Sequence, residues 1–319
     1  MLGNICQQLY TMVDTMVVGQ VAGVEALAAL GAVDFLMWVV TGISTGLTQG
    51  FSIQLSQYYG AKDFENLRKS LAHSYRLTAF IAAGVLILSQ SFASLVLTGL
   101  HTPSNIIGMS LLYLRIIFCG IPATAAYNMF ASALRAMGNS KTPLTAMIIA
   151  SALNVSLDIL FVAGFGWGVA GAAIATVIAQ SFSAVYCFLI LRRIDIVHLT
   201  RADFMPASGM NARLMKLGIP VVFQNIIIGV GGLVVQYVIN GYGFLFVAGF
   251  TATNKLYGLL EMAAISYGYA IVTYVGQNLG AGKIDRIRKG VRSSMLLCLL
   301  TSLIISAAVS YTHLTLPTN

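Results

Sequence analysis

Apolar runs long enough to cross a bilayer, about 20 residues each, recur along the whole sequence with only short polar breaks between them. Such segments must satisfy their own backbone hydrogen bonds, and runs of this length do so as helices; strands do not fit. The pattern predicts nine spans, at 1–21, 26–59, 72–99, 105–137, 143–164, 168–192, 214–241, 246–279 and 288–308. Several exceed the bilayer thickness, so those helices tilt or project past the headgroups. Composition agrees: 58% of residues are hydrophobic, 9% are charged and the mean hydropathy is +0.84, far outside the range of water-soluble domains. The first run lacks the basic flank and small-residue cleavage site of a signal peptide, so it is expected to stay. The fold class is therefore an all-α, polytopic membrane protein.

Basic residues orient the spans. Lys62, Arg68 and Lys69 share one break, Arg135 and Lys141 another, Arg192 to Lys216 a third, and Lys283 to Arg292 the last, while the alternate breaks near 22–25, 100–104, 165–167 and 242–245 hold no Lys or Arg. The positive-inside rule then puts the N-terminus and the basic breaks in the cytoplasm, with the protein in the cell's inner (plasma) membrane. The net charge of +8 belongs to that inner face, which excludes a nucleic-acid partner. Cys6, Cys119, Cys187 and Cys298 each stand alone in an apolar span, and His73, His101, His198 and His313 have no ligand spacing. With no nucleophile elbow, phosphate loop or HExxH motif, the sequence reads as no enzyme, with no cofactor beyond a coupling ion.

The chain repeats itself. QYYGAKDFENLRKS (57–70) and QNLGAGKIDRIRKG (277–290) align without a gap at an offset of 280 − 60 = 220, and that offset also carries Gly23 onto Gly243, Ala28 onto Ala248, Ala32 onto Ala252 and Asp34 onto Asn254. An even number of spans separates the copies, so the repeat is parallel, about an axis along the membrane normal. Domains are expected at 1–192 (helices 1–6) and 216–309 (helices 7–9), joined by a cytoplasmic linker at 193–215. Position 213 maps to −7, the second copy stops after three spans, and 310–319 (SYTHLTLPTN) is Thr-rich and non-native in character. These features predict a fragment of a twelve-helix protein, with the start of helix 1 absent.

Charges inside the spans are Asp14, Asp34, Arg115, Asp158, Lys255 and Glu261, and each costs several kcal/mol unless paired or wetted. At about 1.5 Å per residue, Asp14, Asp158 and Thr176 lie roughly 10, 9 and 12 Å from the outer ends of their helices, at one depth. Asn154 and Asp158 stack one turn apart, as do Gln7, Tyr10 and Asp14. Two carboxylates, an amide oxygen and a hydroxyl at one level suit a hard cation such as Na⁺, or a proton. A structural alternative pairs the carboxylates with Arg115, which lies at the depth of Asp34 and could equally neutralise that residue. Lys255 and Glu261, six apart, share no helix face. Gly42, Gly46 and Gly50 form a GxxxGxxxG stripe of close helix packing. The offset puts Val234 opposite Asp14, so the acidic chemistry has no twin in the other half.

LYTMVD, VGQNLGAG with its echo SQYYGAKD, RAMGNSKTPL, and ALNVSLDILFVAGFGWGVAGAAIAT together resemble the multidrug and toxic compound extrusion (MATE) family of antiporters, from the first residues to about 308. The resemblance implies a two-lobe helical bundle, six helices in the N-lobe and here the first three of the C-lobe, that expels small cationic drugs or metabolites against inward H⁺ or Na⁺. It implies that Asp14, Asn154, Asp158 and Thr176 form the cation-coupling site, and it adds Asn128 to a substrate path whose other lining residues, Gln7, Tyr10 and Gln180, share faces with the coupling residues. A monomer, with the lipid bilayer and small molecules as partners, is expected. The rival readings are a lipid-linked precursor flippase of the same superfamily, which would favour a basic cavity, and a non-transporting membrane scaffold.

Overall fold

The computed structural model describes the backbone of residues 2–315; the side chains of residues 1–7, 9, 255–257, 259–264, 306 and 308–319 lie outside the described set. Among the described residues there are eleven α-helices and no strand: α1 (Leu2–Val21), α2 (Val24–Gly31), α3 (Asp34–Ala61), α4 (Phe64–Gly99), α5 (Ile107–Cys119), α6 (Ile121–Ala136), α7 (Lys141–Asp158), α8 (Gly168–Leu191), α9 (Met210–Asn240), α10 (Phe244–Gly280) and α11 (Ile284–Thr315). They fall into nine rods that follow the nine apolar runs, because two runs are each broken into two helices. One break separates α2 from α3 at Ala32 and Val33. The other bends α5 against α6 by 48°. Pro122 in the first turn of α6 lacks an N–H, and Gly120 at the joint lies so close to Val177 of α8 that a Cβ would overlap it. Five rods are long and apolar enough to span a membrane by composition, and the bent pair makes a sixth, among the described residues. Large apolar side chains such as Phe80 and Leu95 of α4, Ile227 of α9 and Ile304 of α11 point outward, as a lipid-facing surface requires.

The internal repeat is visible in the backbone itself. Gly23 (φ 94°, ψ 175°) precedes α2 and Gly243 (φ 86°, ψ 171°) precedes α10, 220 positions on. At the far ends Lys62 (φ 58°) and Gly282 (φ 70°) both turn left-handed. Each turn is closed by the same bond, Asp63 N to Tyr58 O at 3.0 Å and Lys283 N to Asn278 O at 2.8 Å. The copies differ at the α2–α3 break: α10 runs unbroken through the equivalent position. Asp34 starts α3, where its charge favours a helix N-terminus, whereas its counterpart Asn254 lies inside α10.

Where α3 and α10 meet, equivalent residues meet each other. A Cβ on Gly60 would collide with the Gln277 carbonyl, and one on Gly280 with the Gln57 carbonyl, so the contact maps onto itself under the repeat. Gly31 abuts Thr251, and Ser56 abuts Gly276, in the same self-equivalent way. The glycine stripe is a packing surface, as expected: Gly42, Gly46 and Gly50 lie against Asn225, Val222 and Gly218 of α9.

The segment at 193–215 is folded rather than loose. Two short 3₁₀ turns, Asp195–Val197 and Arg201–Phe204, lie in it, and Asp203 closes a capping box with Thr200. Arg68 Nε approaches Asp203 Oδ1 at 3.8 Å, Arg76 donates to the Phe204 carbonyl at 2.9 Å, and the His73 ring contacts the Asn211 amide oxygen (2.7 Å) and the Met205 carbonyl (3.0 Å). Before α4, the Asp63 carboxylate accepts from the side chain and backbone of Asn66, which holds it below its ordinary range.

Gly60→Val and Gly280→Val should each destabilise the protein by about 1–3 kcal/mol or prevent folding, because backbone has no room to give. Gly84→Ala, where nothing lies within 4 Å of the new Cβ, should leave stability unchanged or slightly raised. Thermal unfolding of the three variants in detergent checks this; a Gly60→Val protein as stable as wild type would contradict the self-packed crossing.

Candidate functional site

Helices α1, α7 and α8 place the predicted acidic cluster. Asp14 is 4% exposed, and Asn154 and Asp158, one turn apart on α7, are both 0% exposed. The Asn154 amide donates to Thr176 Oγ1 of α8 at 3.4 Å. The Asp14 and Asp158 carboxylates lie near enough to repel each other when both are charged. Asp158 ends the α-helical part of its rod, and the next six residues, Ile159–Gly164, form a π-helix. Such wide turns strain the ladder and concentrate at functional sites, so the residue at the junction is held where helix geometry changes.

Neither Asp158 oxygen has a hydrogen-bond partner among the described residues, nor has Asn154 Oδ1. The ion pairs found among those residues, Arg68 with Asp203 and Lys69 with Glu65, lie elsewhere. A buried carboxylate without countercharge costs several kcal/mol unless it binds a proton or a cation. No three His, Cys, Asp or Glu side chains cluster for a metal among the described residues, so the oxygen set here is carboxylate, amide and hydroxyl.

Beside this cluster lies a cavity of about 660 Å³, within the range of small-molecule sites. Asp14 and Thr176 line it, whereas Asn154 and Asp158 are fully buried and not among its lining residues. Of the expected substrate-lining residues, Tyr10, Asn128 and Gln180 face the cavity. Gln180 Nε2 donates to the Tyr10 hydroxyl at 3.2 Å, joining α8 to α1, and Asn128 Nδ2 donates to Thr45 Oγ1 at 3.1 Å, joining α6 to α3. The second half contributes Ser266 and Tyr269 of α10. The side chains of Gln7, Lys255 and Glu261 lie outside the described set.

Two residues enter that sequence reasoning did not select. Tyr113 of α5 is buried and lines the cavity. A tyrosine in an apolar helix carries no sequence signal that separates a cavity-lining residue from a core residue. Arg135, read above only as a marker of orientation, also faces the cavity. The alternative that pairs Arg115 with Asp14, Asp158 or Asp34 is corrected: Arg115 is exposed and in no ion pair among the described residues, because its position on α5 points it away from the face that Tyr113 presents inward.

A multi-pass helical bundle with a polar central cavity and buried carboxylates beside it is the architecture of a membrane transport protein. The MatE family profile matches residues 1–160 and 220–316, and the chain belongs to that family, whose members are transporters and not enzymes. It is 31% identical over 287 residues to "Probable multidrug resistance protein YpnP" of Bacillus subtilis, covering 90% of this chain and 64% of that one. It is 22% identical to "Multidrug export protein MepA" of Staphylococcus saprophyticus, over 89% of this chain and 63% of the relative. The chain thus spans less than two thirds of the length of these relatives. The fold is that of a solved multidrug resistance MATE family transporter of the MOP superfamily. Its outward-facing form superposes with a TM-score of 0.88 at 22% identity, over 98% of this chain and 69% of that one, and its inward-facing form with 0.78, over 96% and 70%.

In a background without the native cysteines, Asn128→Cys should react with a water-soluble maleimide at least about tenfold faster than Ala173→Cys, which is walled off in the core. Equal rates, followed by labelling over time, would show that the cavity does not admit water at α6.

Proposed function

We propose that the protein carrying this sequence exports small organic cations by antiport against H⁺ or Na⁺. The observation that carries the reading is Asp158: buried, without countercharge among the described residues, facing Asp14 next to a substrate-sized cavity. Names of the relatives, which speak of multidrug resistance and export, point the same way. In this reading residues 1–192 form the coupling lobe and 216–309 contribute to the second, with 193–215 as the cytoplasmic strap between them. The alternating basic breaks put the N-terminus on the cytoplasmic side of the plasma membrane. The carrier acts as a monomer and needs no cofactor beyond the coupling ion.

Asp14 and Asp158 cannot both stay charged cheaply in apolar surroundings. A proton or Na⁺ arriving from outside relieves the repulsion, with Asn154 and Thr176 supplying further oxygens. A cationic substrate at Asp14 meets the same need from the cavity side, so ion and drug compete for one negative site and favour different packings of α1. A membrane potential of 100 mV contributes about 2.3 kcal/mol per charge moved inward, which biases the exchange toward export. A flippase reading fits less well, since the cavity's described lining holds one acid and one base rather than a basic surface.

Efflux of a fluorescent cation from vesicles, under separately imposed Na⁺ and pH gradients, tests the proposal. Asp14→Asn and Asp158→Asn should each reduce gradient-driven efflux to background while insertion stays normal. Asp34→Asn should reduce it less, because Asn254 shows that an amide fits the equivalent place. Tyr10→Ala should change which cations are expelled and leave ion coupling intact. Wild-type efflux by Asp14→Asn would sink the coupling scheme.

A further inference from the structure

We infer that the groove between α4 and α5 on the outside of the bundle binds an anionic phospholipid, with Arg115 meeting its phosphate. Arg115 is an exposed cation inside a membrane span, and it belongs to no ion pair among the described residues. It follows Ile107, the first residue of α5, by 115 − 107 = 8 positions, which puts it about 12 Å below that end of the helix. That end adjoins the break without Lys or Arg, and in the orientation proposed above it faces the outer leaflet. A charge at this depth beside hydrocarbon is unfavourable unless it reaches polar ground. Helical side chains lean toward their own N-terminus, so Arg115 leans toward the headgroups, and its long stem covers much of the remaining depth.

The neighbouring helix carries the polar surface onward. Gln90 of α4 donates through Nε2 to the Arg115 carbonyl at 2.8 Å and approaches Cys119 Sγ at 3.3 Å, which fixes the register of these two antiparallel helices. Outward from Gln90, Ser94 and Thr98 follow one and two turns later in the same row of α4, and both are exposed. Near the top of α5 stands Gly108, also exposed, with nothing within 4 Å of where a Cβ would sit. A polar trough thus rises from Arg115 to the end of the rods. On its deeper side the surface turns apolar, with Ile87 65% exposed and Leu88 60% exposed. Polar above and apolar below is the profile of one phospholipid, not of a soluble anion. A second copy of the chain fits less well: Asp14 and Asp158 are buried and Asp34 is half-buried, so no exposed carboxylate lies within the spans among the described residues. One guanidinium balances one phosphodiester and its fork matches two phosphate oxygens. A zwitterionic lipid brings its own ammonium to that phosphate, so the site should prefer phosphatidylglycerol to phosphatidylcholine.

Quenching by brominated lipids tests this at the groove itself. Trp38 and Trp167 are replaced by Phe, and one reporter is introduced as Leu112→Trp, one turn outward of Arg115 on the exposed face of α5, or as Ile178→Trp on the exposed face of α8 for comparison. The protein is reconstituted in vesicles of phosphatidylglycerol and phosphatidylcholine with matched chains, brominated on one lipid or the other. Both leaflets then have one composition, so the result does not depend on orientation. At Leu112→Trp the anionic lipid should be favoured about fivefold, and at Ile178→Trp the ratio should be near one. Arg115→Gln should bring the Leu112→Trp ratio to near one; should that variant fail to insert, Arg115→Met, which suits a lipid-facing surface, decides by the same criterion. A ratio of one with Arg115 present, or an unchanged ratio without it, overturns the site. Loss of the preference on adding inorganic phosphate would show a free-anion site, and its loss on diluting the protein in lipid would show a contact between copies; either result overturns the lipid reading.

Discussion

The crossing of α3 and α10 holds the two halves of this molecule together, and it depends on the absence of side chains. Gly60 lies on the Gln277 carbonyl and Gly280 on the Gln57 carbonyl, so each helix presents bare backbone to the other's repeat-equivalent residue. In a bilayer there is no hydrophobic force to press helices together, and close van der Waals approach between small residues takes its place. Because the contact is its own image under the repeat, one sequence solution serves both sides. The same principle extends outward, where the glycine stripe of α3 receives α9 and the helices around them enclose the cavity.

Around this symmetric frame the chemistry is asymmetric. Asp14 has Val234 in the equivalent place, and Asp34 has Asn254, so neither carboxylate has a twin in the other half. Tyr113 lines the same cavity as Asp14. A two-fold bundle whose Asp14 and Asp34 are not duplicated would give a bound ion something to act on unequally, which is the physical requirement for biasing one packing over another. The cavity's described lining also carries both signs of charge, Asp14 and Arg135. The π-helical turn after Asp158 lies beside the acidic cluster, and such wide turns concentrate at functional sites.

Much of this was legible before any coordinates. Apolar runs announce membrane helices because a bilayer allows few other ways to satisfy a backbone, and the rods follow the runs closely. The 220-residue offset announced the duplication that the paired turns at Lys62 and Gly282 display. Helical spacing alone brought Asn154 onto the face of Asp158, and depth brought Asp14 and Thr176 to their level. The remainder was illegible for identifiable reasons. Tyr113 and Arg135 acquire their roles from neighbours on other helices, and residue type says nothing of that. The break before Asp34 has no proline to announce it, and the segment at 193–215 is ordered by Arg68, His73 and Arg76, which lie more than a hundred positions away.

What the sequence by itself determined was the set of helices, their duplication and the depth of the buried charges, because these follow from hydropathy, local hydrogen bonding and a fixed rise per residue. Only the tertiary structure decided which charges meet. Arg115, at a depth that suited pairing with Asp34, faces outward, while Asp158 turns inward toward Asp14 with no base beside it among the described residues. Depth is a one-dimensional property that the chain carries alone; the direction a side chain takes around its helix gains meaning only from the helices packed against it.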